Sequence, residues 1–217
     1  MASWPATYRD RAGTVQSHVE IDGRALRIEL RGVPFTGQDF DGLEPERPLS
    51  DVEREPFTLA AGALCSCELA WRMQTAVLVN GQEHPAWLEA RLELGAPHSN
   101  GGITHEHLHL RLEIADHEYL SRTDAGWFED ALADIQRDLP KGVVLKTCFG
   151  CAYSDYSPYG HGLWGNLACF RGNKAGYAAV RSKADVFGVW DTLSEYVSET
   201  HVCAEFAPRV SGTGYRG

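Results

Sequence analysis

The sequence lacks several features that would assign a class at once. It has no run of eighteen apolar residues, so we predict no membrane span. Its start has no basic segment followed by an apolar one, so we predict no secretory signal and a cytoplasmic location. Walker-type phosphate loops and the Gly-x-Gly-x-x-Gly, His-Glu-x-x-His and Gly-x-Ser-x-Gly motifs are absent too. The most easily recognised enzyme classes are therefore removed.

Lysine is missing from residues 1–139, which hold 12 Arg and 24 Asp or Glu. Residues 140–217 hold eight Lys or Arg and six acids, and the net charge of the chain is −10. An acidic chain repels polyphosphate, which argues against nonspecific binding of nucleic acid. The charge step predicts a boundary between a first part, 1–139, and a module, 140–217, although the two can pack as one continuous domain.

Alternation of apolar and polar residues dominates the first part and predicts an antiparallel sheet with one solvated face. Asp22-Gly23 and Asn80-Gly81 are two-residue hairpin signals between such segments. The same alternation places Cys65 and Cys67 in the core. Residues 31–56, with four Pro and seven acids, are predicted to be a long surface connection. The strongest alternating segments are Ala63–Met73, Trp87–Leu94 and His105–Ile114.

A helix is predicted after these strands. Phe128, Leu132, Ile135 and Leu139 form one apolar stripe, Asp124 is a suitable cap, and the proline that follows ends the helix.

The last third is predicted to alternate between short strands and helices. The fold class is thus α+β: an antiparallel β-rich part, as a meander or sandwich, followed by a helix and a small zinc-stapled α/β module. The predicted elements of that module are a buried strand at Val143–Thr147, helices at Asn173–Lys183 and Asp185–Tyr196, and a last strand at Val202–Phe206.

Four of the six cysteines form the most informative pattern in the chain. Cys148 and Cys151 are separated by two residues, Cys169 follows after seventeen more, and Cys203 after a further thirty-three. A Cys-x-x-Cys with an internal glycine is typical of a knuckle whose backbone amides point at thiolates. Six cysteines are too sparse for a disulfide scaffold. We therefore predict one structural Zn²⁺ held by these four thiolates, with His201 or His161 as substitutes for one of them.

Two other readings of these cysteines stay open. Cys148 and Cys151 can form a redox pair. Alternatively, three ligands (Cys148, Cys151 and either Cys203 or His201) can hold a catalytic zinc with one open position, while His161 or Asp155 handles protons. In a metal-free variant, Cys169 would be a nucleophile and Asp155 would orient His161 as the base.

Residues 153–166 combine rings, polar tips and three glycines, which favours a recognition pocket. Packing of the aromatic rings over the metal site is the simpler alternative. The candidate binding residues are Asp155, Tyr156, Tyr159, His161, Trp164 and Asn166.

Three histidines, His105, His107 and His109, alternate on one predicted strand face. Alternate strand residues lie about 6.5–7 Å apart, so two of these rings would have to lean together to share a metal. We interpret the face as solvated and paired across strands with Glu89, Arg91 or Glu93.

Several C-terminal segments together resemble an uncharacterised bacterial family of unknown function. The resemblance covers about the last seventy residues and leaves the β-rich part largely unmatched. It implies that the four cysteines and the aromatic loop belong to one unit, and it carries no catalytic residue. The segments are Cys-Phe-Gly-Cys, Ser-Asp-Tyr-Ser-Pro-Tyr-Gly, Ala-Cys-Phe-Arg, Thr-His-Val-Cys-Ala-Glu-Phe and Gly-Thr-Gly-Tyr-Arg-Gly.

The sequence therefore predicts a non-catalytic cytoplasmic protein that binds a protein or small-molecule partner and carries a structural zinc site. A zinc enzyme or a redox protein is the alternative.

Overall fold

The computed structural model describes residues 2–22, 25–99, 101–122 and 126–216. In the first part the elements are β1 Ala2–Asp10, β2 Gly13–Asp22, β3 Ala25–Leu30, β4 Val33–Gly37, β5 Glu44–Pro45, α1 Asp51–Arg54, β6 Thr58–Ala60, β7 Ala63–Cys65, β8 Cys67–Val79, β9 Gln82–Leu94, β10 Glu106–Ile114, β11 His117–Leu120 and α2 Phe128–Asp138. The elements that follow are β12 Val143–Leu145, β13 Ser154–Tyr156, β14 Asn166–Cys169, α3 Lys174–Ala178, α4 Lys183–Val189 and β15 Glu195–Ser198.

One large antiparallel sheet contains most of the strands, in the order β11-β10-β9-β8-β1-β2-β3-β4-β5. The predicted hairpin at Asn80-Gly81 is confirmed, with both residues at positive φ (51° and 86°), as the tight turn requires. The pairing of β2 with β3 is confirmed as well. Gly23, at the predicted turn between them, lies outside the described residues. The α+β class, with a strand-rich antiparallel sheet and few helices, is thus confirmed.

The core lies on one face of this sheet, as the alternation predicts. Cys65 and Cys67 are buried in it, although Ser66 at φ 50° separates the two strands that carry them. Because successive strand residues point to opposite faces, the buried leucines occupy alternate positions. Those of β9 and β10 are Leu88, Leu92, Leu94, Leu108, Leu110 and Leu112.

The prediction of a long surface connection at 31–56 is wrong for residues 31–43, whereas residues 44–56 contain no buried residue. Val33 and Phe35 lie in β4, which extends the sheet by pairing with β3, and Phe40 and Leu43 are also buried. Prolines and acids suggested a solvated loop, but the acids at positions 39 and 41 flank Phe40, which faces the core. The segment thereby contributes to the core.

The predicted helix is confirmed as α2, with Phe128, Leu132 and Ile135 fully buried against the sheet. Asp124, its predicted cap, lies outside the described residues. The N-cap is Trp127, whose side chain makes no capping hydrogen bond. In the described ranges, no helix combines the length and apolar character needed to cross a bilayer.

Strand β12 follows residue 139 and yet belongs to the large sheet, as a partner of β8. The near half of β8 pairs with β1 at Glu68–Trp71, and its far half pairs with β12 at Val77–Val79. The predicted strand in this region is confirmed. The backbone pairing therefore crosses the predicted boundary between the two parts.

The rest of the chain forms a three-stranded sheet, β13-β14-β15, with two short helices. The helix predicted over 185–196 is wrong in its second half, because Glu195–Ser198 pairs with β14 as strand β15. The strand predicted at Val202–Phe206 is wrong too, since this segment is irregular apart from a turn at residues 204 and 205. For Glu195–Ser198, pairing with the edge of β14 outweighed the helical propensity of the local sequence.

Candidate functional site

The four predicted cysteine ligands come from separate segments and lie close together. Cys148 begins a short 3₁₀ turn that includes the backbone of Cys151, and Cys169 ends β14. Cys203 follows β15 and packs against the apolar cluster that contains Cys148 and Cys169. The backbone N–H of Cys148 donates to the carbonyl of His201 (2.9 Å), which ties the first segment to the last. Folding therefore gathers the whole set into one region.

Backbone amides point at two of these sulfurs. The N–H of Glu205 donates to Cys203 Sγ (3.3 Å). Burial raises the pKa of the Cys169 thiol, and the N–H and charge of Arg171 oppose that rise. In each pair the donor is two residues beyond the cysteine, as in thiolate knuckles, where such bonds stabilise the charged sulfur.

The sulfur atoms are more widely spaced than in a closed tetrathiolate site. A Zn–S bond of about 2.3 Å places the sulfurs of a tetrahedron about 3.8 Å apart. Among the described residues, a group whose ligand atoms all lie within 4.8 Å of one another is Glu93, His105 and His107, and no trio of cysteines meets that limit. Closing the four thiols around one ion thus requires side-chain rotation.

Neither histidine proposed as a substitute ligand is directed to the cysteines. His161 uses both ring nitrogens elsewhere, with Nδ1 2.9 Å from the Gly162 carbonyl and Nε2 3.4 Å from Glu129 Oε2. His201 is exposed and contributes its backbone carbonyl to Cys148. Residues 201–203 form no strand that would place the His201 side chain beside Cys203.

A polar pocket of about 280 Å³ lies beneath the 153–166 loop. Three of the predicted binding residues, His161, Trp164 and Asn166, line it. Asn166 Oδ1 is buried without a hydrogen-bond partner among the described residues. The remaining wall includes Gln38, Asp39, Ser157 and Tyr196.

Asp39, from the segment between β4 and β5, is the acid of this pocket. Its Oδ1 accepts hydrogen bonds from the backbone N–H groups of Phe40 (2.8 Å) and Trp164 (2.9 Å). Burial, reinforced by the nearby charge of Asp41, raises the pKa of Asp39 to about 7. A Cβ at position 162 would lie 1.6 Å from Asp39 Oδ2, so the close approach of this carboxylate to the loop requires Gly162.

His161 is held between aromatic rings at the edge of the pocket. It stacks on Tyr156 with ring centroids 4.0 Å apart, and Trp127 contacts it edge-on at 5.0 Å. The hydrogen bond to Glu129 raises the pKa of His161, while burial opposes that rise. The protonated ring is consequently stabilised by a carboxylate from helix α2.

Glu199 lies buried beneath the loop. The Tyr156 hydroxyl donates to its Oε1, and the backbone N–H of Gly165 donates to its Oε2 (2.9 Å). Burial raises the pKa of Glu199 to about 8, so its carboxyl is largely protonated at neutral pH. A side chain at Gly165 would lie 2.3 Å from the Tyr156 ring, so this contact also depends on a glycine.

The other three predicted loop residues, Asp155, Tyr156 and Tyr159, lie outside the pocket wall. Asp155 is buried, and its carboxylate accepts from the Tyr177 hydroxyl (2.8 Å) and its own neighbour's backbone N–H (2.9 Å). The expectation that Asp155 orients His161 is therefore wrong, because Glu129 occupies that position. Tyr159 is 85% exposed and packs edge-on against Phe187.

Asp39 and Glu199 are the residues that sequence reasoning missed. Asp39 lies 125 positions before the Trp164 amide that it binds, and nothing local marks it beyond the acid-rich composition of 31–56. Glu199 resembles any acid near the end of a strand. Their raised pKa values result from burial, and this burial arises only from tertiary packing.

Together these observations define an α+β protein that combines a large antiparallel sheet, a four-cysteine cluster and a polar, acid-lined pocket. The chain belongs to the "Family of unknown function (DUF6304)", which matches residues 2–154. An uncharacterised family is therefore confirmed. The match ends at residue 154, so it includes Cys148 and Cys151, and most of the C-terminal motif lies beyond the matched residues. No curated protein and no solved structure matches the chain significantly.

Proposed function

We propose that this protein is a non-catalytic binding protein that recognises a small hydrogen-bond-donating molecule in the pocket under the 153–166 loop. The observation that carries the proposal is the pairing, in one pocket wall, of the buried and unpartnered Asn166 Oδ1 with the half-protonated carboxyl of Asp39. A buried acceptor without a donor is costly. Rotation of the Asn166 side chain toward the pocket would let a ligand N–H relieve that cost.

The charges beside Asp39 favour a cationic ligand. Asp39 has the charge of Asp41 beside it, whereas Glu129, at the edge of the pocket, is shared between His161 and Arg216. A cation bound at Asp39 would lower the pKa of this carboxyl and release a proton, so binding should strengthen as the pH rises through about 7. The pocket volume of about 280 Å³ suits a small ligand.

A matched pair of small probes tests this pocket. We expect N-ethylguanidinium to bind saturably in calorimetric titrations at pH 8, and its neutral analogue N-ethylurea to bind more weakly. Asp39→Asn keeps an acceptor for the Trp164 amide while removing the charge, so it should weaken binding of the cation at least tenfold, or about 1.4 kcal/mol. Tyr159→Ala, a change in the same loop outside the pocket, serves as the control. Equal binding by Asp39→Asn and the parent would contradict a carboxylate-centred pocket.

The cysteine cluster is assigned a structural role within the same proposal. Four thiolates around one Zn²⁺ leave no open position for water, so the ion would act as a staple. The staple would join the Cys148 turn, β14 and the segment after β15, and it would thereby hold the loop that carries the pocket. The amide–sulfur bonds at Cys169 and Cys203, and the nearby charge of Arg171, support thiolates at this place.

Metal analysis of protein purified without a His tag tests the staple. We expect about one zinc per chain, release of four reactive thiols together upon chelation, and a Tm lower by roughly 5–10 °C after the metal is removed. Cys203→Ser should lose the zinc, whereas Cys65→Ala, which changes a buried cysteine outside the cluster, should retain it. No metal, together with a reversible Cys148–Cys151 disulfide, would favour the redox alternative.

One observation favours an enzyme as the second candidate. The pocket has His161 at its edge, and two carboxyl groups with raised pKa values, Asp39 and Glu199, lie in or beneath it, a combination common at acid–base sites. In the enzyme, zinc would be held by three ligands with an open position. Cys169→Ser separates the two candidates, because it should release the zinc of a four-thiolate site and lower the Tm as metal removal does, but leave a three-ligand site loaded and largely unaffected.

A further inference from the structure

A second set of metal-ligating side chains lies on the large sheet, with no residue in common with the cysteine cluster or the pocket. Glu93 of β9 and His107 of β10 are directly opposite in register, and His105 immediately precedes β10. His105 Nε2 is 3.3 Å from Glu93 Oε1. One ligand atom from each of the three residues lies within 4.8 Å of the other two.

The two imidazole rings lean together as a shared metal requires. Their centroids are 4.5 Å apart, closer than the 6.5–7 Å or so of alternate strand positions. The cause is local, since His105 lies just outside the regular strand, where its carbonyl accepts the Gly95 N–H (2.9 Å). The cross-strand pairing of this face with Glu93 and Arg91 is confirmed, while the spacing that argued against a metal is not maintained at His105.

The orientation of His105 is fixed by its neighbours. Its Nδ1 lies 3.1 Å from Thr104 Oγ1, which also accepts the N–H of Ala96 (3.1 Å). With Nδ1 protonated and donating to this hydroxyl, the lone pair of Nε2 faces Glu93, as in metal-binding histidines held by a second hydrogen bond. A Cβ at Gly95 would lie 2.3 Å from Thr104 Oγ1 and 2.8 Å from His105 Nδ1, so this arrangement depends on glycine at position 95.

We infer that Glu93, His105 and His107 form a binding site for one divalent first-row transition ion. Two imidazole nitrogens and a carboxylate oxygen are a donor set that Zn²⁺ and its neighbours accept, and three protein ligands leave at least one coordination position open. Glu93 and His105 also border a cleft of about 580 Å³ that contains Arg9 and Arg91. The open position is therefore available to water or a small anion.

Nickel binding to the untagged chain, loaded with one equivalent of zinc, tests this site. One equivalent of zinc fills the cysteine cluster, whose four thiolates bind it more tightly than two imidazoles and a carboxylate, and leaves the histidine site to Ni²⁺, which suits imidazole ligands. We expect calorimetry to show one Ni²⁺ per chain with a micromolar Kd. His107→Ala and Glu93→Gln should each weaken binding at least tenfold, and the paramagnetic ion should broaden the ring NMR signals of His105 and His107.

His109→Ala is the matched control, because His109 is an exposed histidine two positions further along the same strand face. It should change the Kd less than twofold. Cys203→Ser, also titrated with Ni²⁺ after metal removal, should retain the same histidine-dependent affinity, so this result does not depend on the proposed function. Absence of binding, or equal losses in His109→Ala and His107→Ala, would overturn the inference, and thermal melts confirm that each variant is folded.

Discussion

Replacing Trp164 with alanine is expected to lower the free energy of unfolding by about 3–5 kcal/mol. Its ring is 2% exposed and packs edge-on against Phe128 of α2, with centroids 4.5 Å apart, and against Phe40 at 5.5 Å. Phe40 in turn stacks on Trp71 of β8 at 4.0 Å. The substitution would leave a cavity where four segments of the chain meet. Guanidinium denaturation followed by circular dichroism measures the loss.

Trp87→Ala is the matched control, because Trp87 is 41% exposed and its main partner is the guanidinium of Arg72 at 4.6 Å. Such an exposed cation–π contact contributes about 0.5–1 kcal/mol. A loss at Trp164 no larger than the loss at Trp87 would show that the aromatic cluster does not join the loop to the sheet. Trp164→Phe should recover part of the stability, since a ring remains between Phe40 and Phe128.

Glu199→Gln is expected to remove a pH dependence of stability that the parent protein shows. The folded pKa of Glu199 is about 8, against the ordinary value of 4.5, because burial disfavours the charged form. The folded state thus holds a proton that the unfolded state loses, and the contribution is present in full at acidic pH and lost as the pH rises toward about 8. At about 1.4 kcal/mol per pKa unit, the full loss in the parent is about 5 kcal/mol, of which about 3.5 kcal/mol falls between pH 5.5 and pH 8.

Urea denaturation at pH 5.5, 7.0 and 8.5 measures the effect as the difference between the two proteins, so titrations common to both cancel. Glutamine keeps an acceptor for the Gly165 N–H, which limits other changes. Glu205→Gln, at an exposed acid of the same segment that pairs with Lys174, is the control and should follow the parent profile. Parallel profiles for the parent and Glu199→Gln would show that Glu199 ionises normally in the folded protein.

The parts of the fold that could be predicted from the sequence are those where local and tertiary preferences agree. Asn80-Gly81 favours a tight turn, and the strands on either side pair across it. The helical spacing of apolar residues in α2 predicts one buried face, and that face packs on the core. The prediction for the first half of 31–56 was wrong because it relied on the content of prolines and acids. The alternation of apolar residues, with Val33 and Phe35 two positions apart, indicates a strand. The helix prediction for residues 195–198 was wrong because the structure of so short a segment depends on its pairing with β14, which the local sequence does not reveal.

The candidate sites divide in the same way. The cysteine pattern predicted that the four thiols lie together. A Cys-x-x-Cys pair is recognisable in the sequence itself, and it indicates a metal site that needs further ligands from elsewhere in the chain. Asp39 and Glu199 carry no such mark, since an acid acquires a raised pKa only from the groups that surround it after folding. His105 and His107 were visible in the sequence, but the lean of their rings depends on Gly95 and Thr104.

Strand β8 has one further consequence, for a chain that is still being made. Its far half, Val77–Val79, receives its second neighbour only when Val143–Leu145 arrives. Until then a growing or truncated chain presents a bare row of amides and carbonyls on an apolar strand, the kind of edge on which other copies add and aggregate. A cut near residue 140, where the charge changes sign, would make that edge permanent. By covering this edge, the C-terminal part of the chain therefore also protects the large sheet from aggregation.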